Sequence, residues 1–145
     1  NLNKMNKRNI IIVIILLLLA AILFFLLKKK KPAVLKTVMQ GITVLHSGNI
    51  TMKVWDYNAV DGDTVAVFFD NKAIFDTLYL TDSPAVHEFK HISPGDHILL
   101  VKAINEGINP PATPHISITD GITAAEFDIN SYLDSTGSWK ITVQQ

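Results

Sequence analysis

Hydrophobic residues follow two different patterns along the chain. Residues 10–27 form one apolar run of eighteen residues without a break, whereas apolar and polar residues alternate from Gly41 onward. As a helix, the run would be about 27 Å long, close to the hydrocarbon thickness of a bilayer. Alternation with a period of two is typical of β-strands. The pattern therefore predicts one N-terminal transmembrane α-helix followed by an all-β domain.

The alternating region predicts a series of short strands between turn signals that are rich in Gly, Pro, Asn, Asp and Ser. The predicted strands cover residues 42–46, 50–57, 64–70, 73–81, 86–92, 97–104, 115–119, 123–129 and 138–143. Short strands at this spacing favour an antiparallel β-sandwich of the immunoglobulin-like class. The predicted organisation is therefore a basic N-terminal flank (1–9), a transmembrane helix (10–27), a basic juxtamembrane linker (28–40) and a β-sandwich domain (41–145).

The same alternation predicts the core, because side chains two positions apart in a strand share one face. The predicted inward sets are Ile50, Met52 and Val54; Val65, Val67 and Phe69; Leu99, Val101 and Ala103; Ile116 and Ile118; Phe127 and Ile129; Trp139, Ile141 and Val143.

The charges are separated along the chain, although their sum is zero. All seven basic residues up to position 31 (Lys4, Lys7, Arg8 and the run 28–31) precede the first acid, Asp56. The remaining six lysines share the later part of the chain with all thirteen acids, so the two parts carry +7 and −7. A domain with that charge is a poor partner for nucleic acid, which requires clustered Lys and Arg. The basic cluster instead suits the headgroups of a lipid bilayer.

A cleaved signal peptide is the alternative to a retained anchor. Signal peptides usually have a shorter apolar stretch and a small-x-small cleavage site, whereas this run is followed by four lysines and Pro32. We therefore expect a single-pass membrane protein. The positive-inside rule slightly favours a cytoplasmic domain, because more lysines follow the run than precede it. An acidic, cysteine-free β domain resembles an exported one, and we expect a periplasmic or extracellular location.

An acidic loop is the strongest candidate site. Asp56, Asp61 and Asp63 fall within eight residues, around a glycine that permits a sharp turn. We expect a hairpin from Val54 to Val67 that places them at one end of the sandwich. Carboxylates and loop carbonyls are the ligands that Ca²⁺ prefers. The alternative is that Asp-Gly forms a turn and the aspartates cap it.

A second loop contains two further candidate calcium ligands, Asn105 and Glu106. This loop also follows a predicted strand. If the two loops share an end of the sandwich, Asn105 or Glu106 could complete the oxygen shell around the ion. The hypothesis therefore names five candidate metal ligands and no other cofactor.

Other chemistry finds less support. The absence of cysteine excludes disulfides and thiolate metal sites within these residues. The five histidines are His46, His87, His91, His97 and His115. His87 and His91 would be about 13 Å apart along a strand, too far for one zinc ion. We expect scattered histidines, and the chain has neither a G-x-S-x-G elbow nor a glycine-rich phosphate loop.

Trp55 and Tyr57 point away from the predicted inward face of their strand. They could form an aromatic platform, for instance for a sugar, or they could pack under a loop or the second sheet. We expect packing, because both faces of a strand are often covered in a small sandwich.

Three segments resemble a small β-sandwich domain of bacterial envelope proteins. They are VWDYNAVDGDTVAVFFDNK (54–72), HILLVKAINEG (97–107) and PPATPHISITDG (110–121). The shared pattern is V-W-D-x-x-x-V-D-G-D-x-V, then an A-x-N-x-G loop and P-P-x-T, and the match covers most of residues 50–143. The resemblance implies the fold and an envelope location but no reaction, because the group has no established activity.

These observations favour a non-enzymatic, membrane-anchored β-sandwich that binds or scaffolds another protein at the membrane surface. The first alternative is a structural subunit of a larger membrane-bearing assembly, such as a secretion machine or a virion with an internal bilayer. The second is a small envelope enzyme.

Overall fold

The computed structural model describes residues 6–27, 35–57 and 60–144, and within the helix it describes the side chains of residues 9–19. The chain divides into two compact units, Asn1–Val34 and Leu35–Gln145. Each unit is described by itself below.

The first unit contains one helix, α1, which spans Lys7–Leu27. Its ten consecutive apolar side chains from Ile10 to Leu19 are all exposed, with exposed fractions between 43% and 65%. Over the part of the chain that the structure describes, no helix is both long enough and apolar enough to cross a membrane. The transmembrane span predicted for residues 10–27 stays a prediction.

The second unit is all-β, as predicted. Its strands are β1 (Lys36–Leu45), β2 (Ile50–Trp55), β3 (Asp63–Phe69), β4 (Lys72–Tyr79), β5 (Ala85–Phe89), β6 (Gly95–Glu106), β7 (His115–Thr119), β8 (Ala124–Asp128) and β9 (Ser135–Val143). Each of them overlaps a predicted strand, because the alternation of apolar residues marks half-buried β structure along the whole domain.

Two sheets share these strands. The five-stranded sheet has the order β1-β9-β6-β3-β4, and the four-stranded sheet has the order β5-β2-β7-β8. Neighbouring strands are antiparallel except for β1 and β9, which run parallel. Buried residues from both sheets form one hydrophobic cluster, so the architecture is a β-sandwich.

The predicted core is confirmed with one exception. Every residue of the predicted inward sets is buried in the central cluster except Trp139. The Trp139 indole is only partly buried and stacks flat on Phe127, with ring centroids 3.9 Å apart. Its Nε1 donates a hydrogen bond of 2.9 Å to the Thr43 hydroxyl, so it covers the edge of the core instead of filling it.

One fully buried hydroxyl extends the hydrogen bonding of β6. Antiparallel pairing of β6 with β9 reaches only as far as Val101 beside Gly137. Beyond that point, Ser131 Oγ donates to the Val101 carbonyl at 2.7 Å and accepts from the Ala103 amide at 2.9 Å. Ser131 also forms an isolated β-bridge with Ala112, so it ties the chain after β6 to the sandwich.

The sandwich begins earlier than predicted. Strand β1 starts at Lys36, inside the segment 28–40 that was expected to be a linker. The pairing of β1 with β9 shifts register between Met39 and Gly41, and this irregularity hid the strand from a period-two pattern. Gly41 lies under the Trp139 ring, where a Cβ atom would collide with the indole.

The expected hairpin from Val54 to Val67 is also corrected. Strands β2 and β3 lie in different sheets, so the chain between them crosses from one sheet to the other. Periodicity reveals a buried face but does not reveal which sheet a strand joins. The crossing nevertheless leaves Asp61 and Asp63 at one end of the sandwich, beside the end of β6.

Candidate metal centre

Three aspartates meet where the chain passes from β2 to β3. Asp56 follows β2, Asp61 lies in the connecting loop, and Asp63 is the first residue of β3. One carboxylate oxygen from each lies within 4.8 Å of the other two. In the part of the chain that the structure describes, they form the one group of three or more His, Asp or Glu side chains at such distances.

Backbone contacts fix the positions of these aspartates. The Asp56 amide donates a hydrogen bond of 2.8 Å to the Thr81 carbonyl, and the Leu80 amide donates one of 2.9 Å to the Asp63 carbonyl. Gly62 adopts φ 107°, a conformation that glycine tolerates far better than other residues. The Asp-Gly-Asp turn is therefore anchored to the chain that follows β4.

A second loop, between β6 and β7, holds the outer oxygens of two of the aspartates. The Asn109 amide donates to Asp61 Oδ2 at 2.7 Å, and the Thr113 amide donates to Asp63 Oδ2 at 3.0 Å. The pairing of β3 with β6 places Asp63 beside Glu106, the last residue of β6. The expectation that the two loops share one end of the sandwich is confirmed.

The inner oxygen of Asp63 is the unusual atom of the site. Asp63 is only 5% exposed, and its Oδ1 has no hydrogen-bond partner within the described residues. Burial raises the pKa of Asp63; the hydrogen bond from Thr113 opposes this, and the nearby charges of Asp61 and Asp56 add to it. Ionised carboxylates within 4.8 Å of one another repel, and a proton or a cation between them would relieve this repulsion.

Gly107 leaves room for the inner oxygens. A Cβ atom at this position would collide with Oδ1 of Asp61 and would lie 2.8 Å from Oδ1 of Asp63. Gly107 also has φ 60°, which glycine adopts at little cost. The two outer oxygens are thus held by loop amides, while the two inner oxygens converge beside a residue without a side chain.

The three aspartates line a cleft of about 210 Å³ that is open to solvent. Its other lining residues are Tyr57, Asn109, Pro111, Thr113 and Asp128. The cleft is large enough to admit several water molecules beside a bound ion.

Asn105 and Glu106, the other predicted ligands, form their hydrogen bonds elsewhere. Asn105 Oδ1 accepts a bond of 3.2 Å from the Gly107 amide, and Glu106 Oε1 accepts one of 3.1 Å from the Leu133 amide. Neither lines the cleft. A ligand role for them stays a prediction, whereas the structure brings the three aspartates together.

His115 packs against Trp55 and Tyr57 beside the cleft, and this contact was not foreseen. His115 Nδ1 lies 2.6 Å from Asp128 Oδ1, its ring stacks on Tyr57 at 4.9 Å, and the edge of Trp55 meets it at 4.5 Å. Trp55 and His115 are cross-strand partners of β2 and β7. Trp55 is half-buried by this packing, while Tyr57 remains 67% exposed. The sequence did not indicate that Trp55 and His115 are in contact, because they lie sixty positions apart.

A different kind of aspartate site lies at the opposite end of the sandwich. Asp120 accepts backbone hydrogen bonds from His46 and Ser47 on Oδ2, and from Ile122 and Thr123 on Oδ1. Burial alone would raise the pKa of Asp120, but these bonds lower it to about 2. Both oxygens of this carboxylate therefore accept hydrogen bonds that stabilise the adjoining loops.

His97, at the same end as Asp120, has an acceptor beside each of its ring nitrogens. Its Nδ1 lies 2.6 Å from Asp70 Oδ2 and its Nε2 lies 2.8 Å from the Ser93 carbonyl. Burial lowers the pKa of His97, but the Asp70 and Ser93 contacts outweigh burial, so the net shift is upward.

Comparison of the chain with protein-family models, with curated proteins and with solved structures gave no match. The chemistry of the cleft therefore has to be argued from its own atoms. Three carboxylates, one of which has a buried oxygen without a hydrogen-bond partner among the described residues, can hold a hard cation or a proton.

Proposed function

We propose that this chain is a membrane-anchored, non-enzymatic module whose β-sandwich binds or scaffolds a partner protein at the membrane surface. The sandwich has its own continuous core, so the domain needs no other part of the chain to bury its apolar face. We further propose an envelope location, in line with the resemblance of residues 54–72, 97–107 and 110–121 to envelope β-sandwich domains.

The observation that carries the proposal is the apolar character of α1. Ten consecutive apolar side chains in this helix are exposed, and the sequence remains apolar to Leu27. A helix that is apolar on all sides must be covered by protein or by lipid. Lysines on both flanks of the run supply positive charge for anionic headgroups.

The non-enzymatic reading draws on how the titratable groups of the sandwich are used. His97 has both ring nitrogens next to acceptors, and Asp120 has four backbone donors around its two oxygens. These contacts stabilise loops, which supports a structural role for both side chains.

The fold supports an immunoglobulin-like class. In that class, strands B and E share one sheet, while C, F and G share the other. Here β2 and β5 lie in one sheet, and β3, β6 and β9 lie in the other. The β7–β8 hairpin would then be an addition between the strands equivalent to F and G, placed beside β2.

Membrane fractionation of the full chain tests the anchor. We expect the protein to resist alkaline carbonate extraction and to keep an N-terminus before Ile10. Replacing Leu17 and Leu18 with lysine should release it, because each central lysine opposes insertion by about 2.5–3.5 kcal/mol. Lysine at Ile42 and Val44, on the sandwich, is the matched control and should not release it. Extraction of the parent protein by carbonate would refute the anchor.

The absence of cysteine allows a direct test of the exported location. Lys72 is exposed at the start of β4, so a Lys72→Cys variant carries one accessible thiol. We expect a membrane-impermeant maleimide to label it in intact cells. Labelling only after lysis would place the domain in the cytoplasm and contradict the exported location.

A second candidate function, a structural subunit of a membrane-bearing assembly, is favoured by the edge strand β1. Only one side of β1 is paired within the described sheet, and the strand exposes Val38, Met39, Ile42 and Val44. Exposed apolar residues on an edge strand favour contact with another protein. A large complex in mild detergent that Ile42→Lys dissociates, and that the control Val86→Lys on edge strand β5 preserves, would support this function over a monomeric tether.

A further inference from the structure

We infer that the aspartates at positions 56, 61 and 63 form a calcium site at one end of the sandwich. This inference goes beyond the proposed function and does not depend on the anchor, because every atom of the site belongs to the β domain.

An acidic cluster alone would not indicate a ligand, since exposed carboxylates often lie near one another. Asp63 is different because it is 95% buried and its Oδ1 has no partner within the described residues. Leaving a buried acceptor unpaired destabilises a fold by about 1–3 kcal/mol, and more when the acceptor is charged. The position of this oxygen is explained if a cation completes its coordination.

The surroundings orient the inner oxygens toward one point. Amides of Asn109 and Thr113 bind Oδ2 of Asp61 and Oδ2 of Asp63, which leaves each Oδ1 on the side of Gly107. A side chain at position 107 would fill the space where those oxygens converge. The loop thus positions the carboxylates and keeps the space between them open.

The donor set selects a hard cation. All three side chains offer oxygen, and the chain contains no cysteine. Soft or borderline metals prefer thiolate or imidazole ligands. Three carboxylates also suit a divalent ion better than a proton, because one proton would leave two negative charges beside each other.

The distances between the oxygens favour calcium over magnesium. Ca²⁺ binds oxygen at about 2.3–2.6 Å, so opposite ligands can be about 4.6–5.2 Å apart. The oxygens of the cluster lie within 4.8 Å of one another, which this range accommodates. Mg²⁺ requires about 2.0–2.1 Å and a strict octahedron, so it tolerates a narrower range of oxygen positions than Ca²⁺. The open cleft gives access to the water ligands that calcium needs beyond three carboxylates.

The test is calcium titration of the full chain in mild detergent after chelator treatment, followed by calorimetry and by thermal melts. We expect saturable binding of one Ca²⁺ per chain and a higher melting temperature with calcium than with chelator. Mg²⁺ at the same concentration should produce a smaller shift.

Two pairs of variants separate the site from general charge and strain effects. Asp63→Asn should weaken calcium binding by about tenfold or more, because ligand charge sets calcium affinity. Asp76→Asn removes the same charge from exposed β4 and should bind like the parent. Gly107→Ala should block the site, whereas Gly121→Ala has a similar positive φ but open space and should not.

Each result of these measurements either supports or contradicts the calcium site. Loss of binding in Asp63→Asn and Gly107→Ala, with retention in both controls, supports the site. No saturable binding to the parent, equal binding to the parent and Asp63→Asn, or a preference for Mg²⁺ would overturn it. None of these results depends on membrane extraction, so the anchor and the calcium site can fail independently.

Discussion

The two ends of the sandwich use aspartate in opposite ways. At one end, Asp120 receives four backbone hydrogen bonds and its pKa is lowered to about 2. At the other end, Asp63 receives one amide, keeps a buried oxygen without a partner in the described residues, and has a raised pKa. The number of hydrogen-bond donors around a carboxylate, and not its burial alone, therefore distinguishes a structural aspartate from a candidate metal ligand.

Removal of the Asp120 carboxylate should reduce stability more than any other change considered below. Asp120→Ala removes four hydrogen bonds to a charged acceptor, and we expect the free energy of unfolding to fall by about 2–4 kcal/mol. Urea denaturation monitored by tryptophan fluorescence measures this change. Asp134→Ala, at an exposed position, is the control. An equal loss in both variants would remove the distinction between the two ends.

The hydrogen bonds to Asp120 should also make stability sensitive to acid. The pKa of Asp120 is lower in the folded state than its ordinary value of 3.8. Its contribution is therefore fully present above pH 3.8 and is lost as the pH falls through about 2. The Asp120→Ala variant should lose less stability than the parent over that interval.

The next prediction concerns Ser131, whose hydroxyl binds the end of β6 that precedes the loop holding Asp61 and Asp63. Ser131→Ala would leave the Ala103 amide and the Val101 carbonyl without their buried partner, and we expect a loss of about 1–3 kcal/mol. The exposed Ser83→Ala change is a control for serine replacement. If Ser131→Ala unfolds like the parent, then the loop that holds Asp61 and Asp63 is positioned by other contacts.

Replacing aspartate with asparagine should change the free energy of unfolding in opposite directions at the two ends. In chelator, Asp63→Asn should raise the free energy of unfolding by about 1 kcal/mol, because it relieves burial of a charge beside two other carboxylates. Asp120→Asn should lower it, because one amide side chain cannot accept at both former oxygens. Denaturation of the two variants under identical conditions provides the measurement. Stability changes of the same sign would contradict the comparison.

Titration of His97 should change the free energy of unfolding only slightly. Its pKa is raised in the folded state, so its contribution is present below about pH 6.5 and is lost as the pH rises through the folded-state value. Besides Asp70 and the Ser93 carbonyl, Phe69 stacks on the ring and Asp96 contributes negative charge. Because Asp70 is half-exposed, we expect less than about 1 kcal/mol. Stability measured across this interval should be flatter in Asp70→Asn than in the parent.

Sequence periodicity predicted the strands and their buried faces well, because alternation follows directly from the geometry of a half-buried strand. It missed the start of β1 at Lys36, where the irregularity between Met39 and Gly41 interrupts the alternation. It also read the passage from β2 to β3 as a hairpin, because the choice of sheet depends on distant packing that no local pattern records.

The candidate site could be predicted only in part. Asp56, Asp61 and Asp63 were visible as carboxylates spaced around a glycine turn. The amides of Asn109 and Thr113 were not, because a backbone donor carries no signature in the identity of its residue. For the same reason, the neighbouring residues Asn105 and Glu106 were chosen by their side chains, whereas the structure uses the backbone a few positions later.

The parallel pairing of β1 with β9 has a mechanical consequence. The two strands run side by side from Lys36 beside Ser135 to Leu45 beside Val143. Traction on the chain entering β1 and on the chain leaving β9 therefore acts along the strands in opposite directions. All the hydrogen bonds between them are then loaded together in shear and must fail collectively, whereas a hairpin pulled from its open end would unzip one bond at a time. We therefore expect the β1–β9 pair to resist such traction more strongly than a hairpin with the same number of hydrogen bonds pulled from its open end.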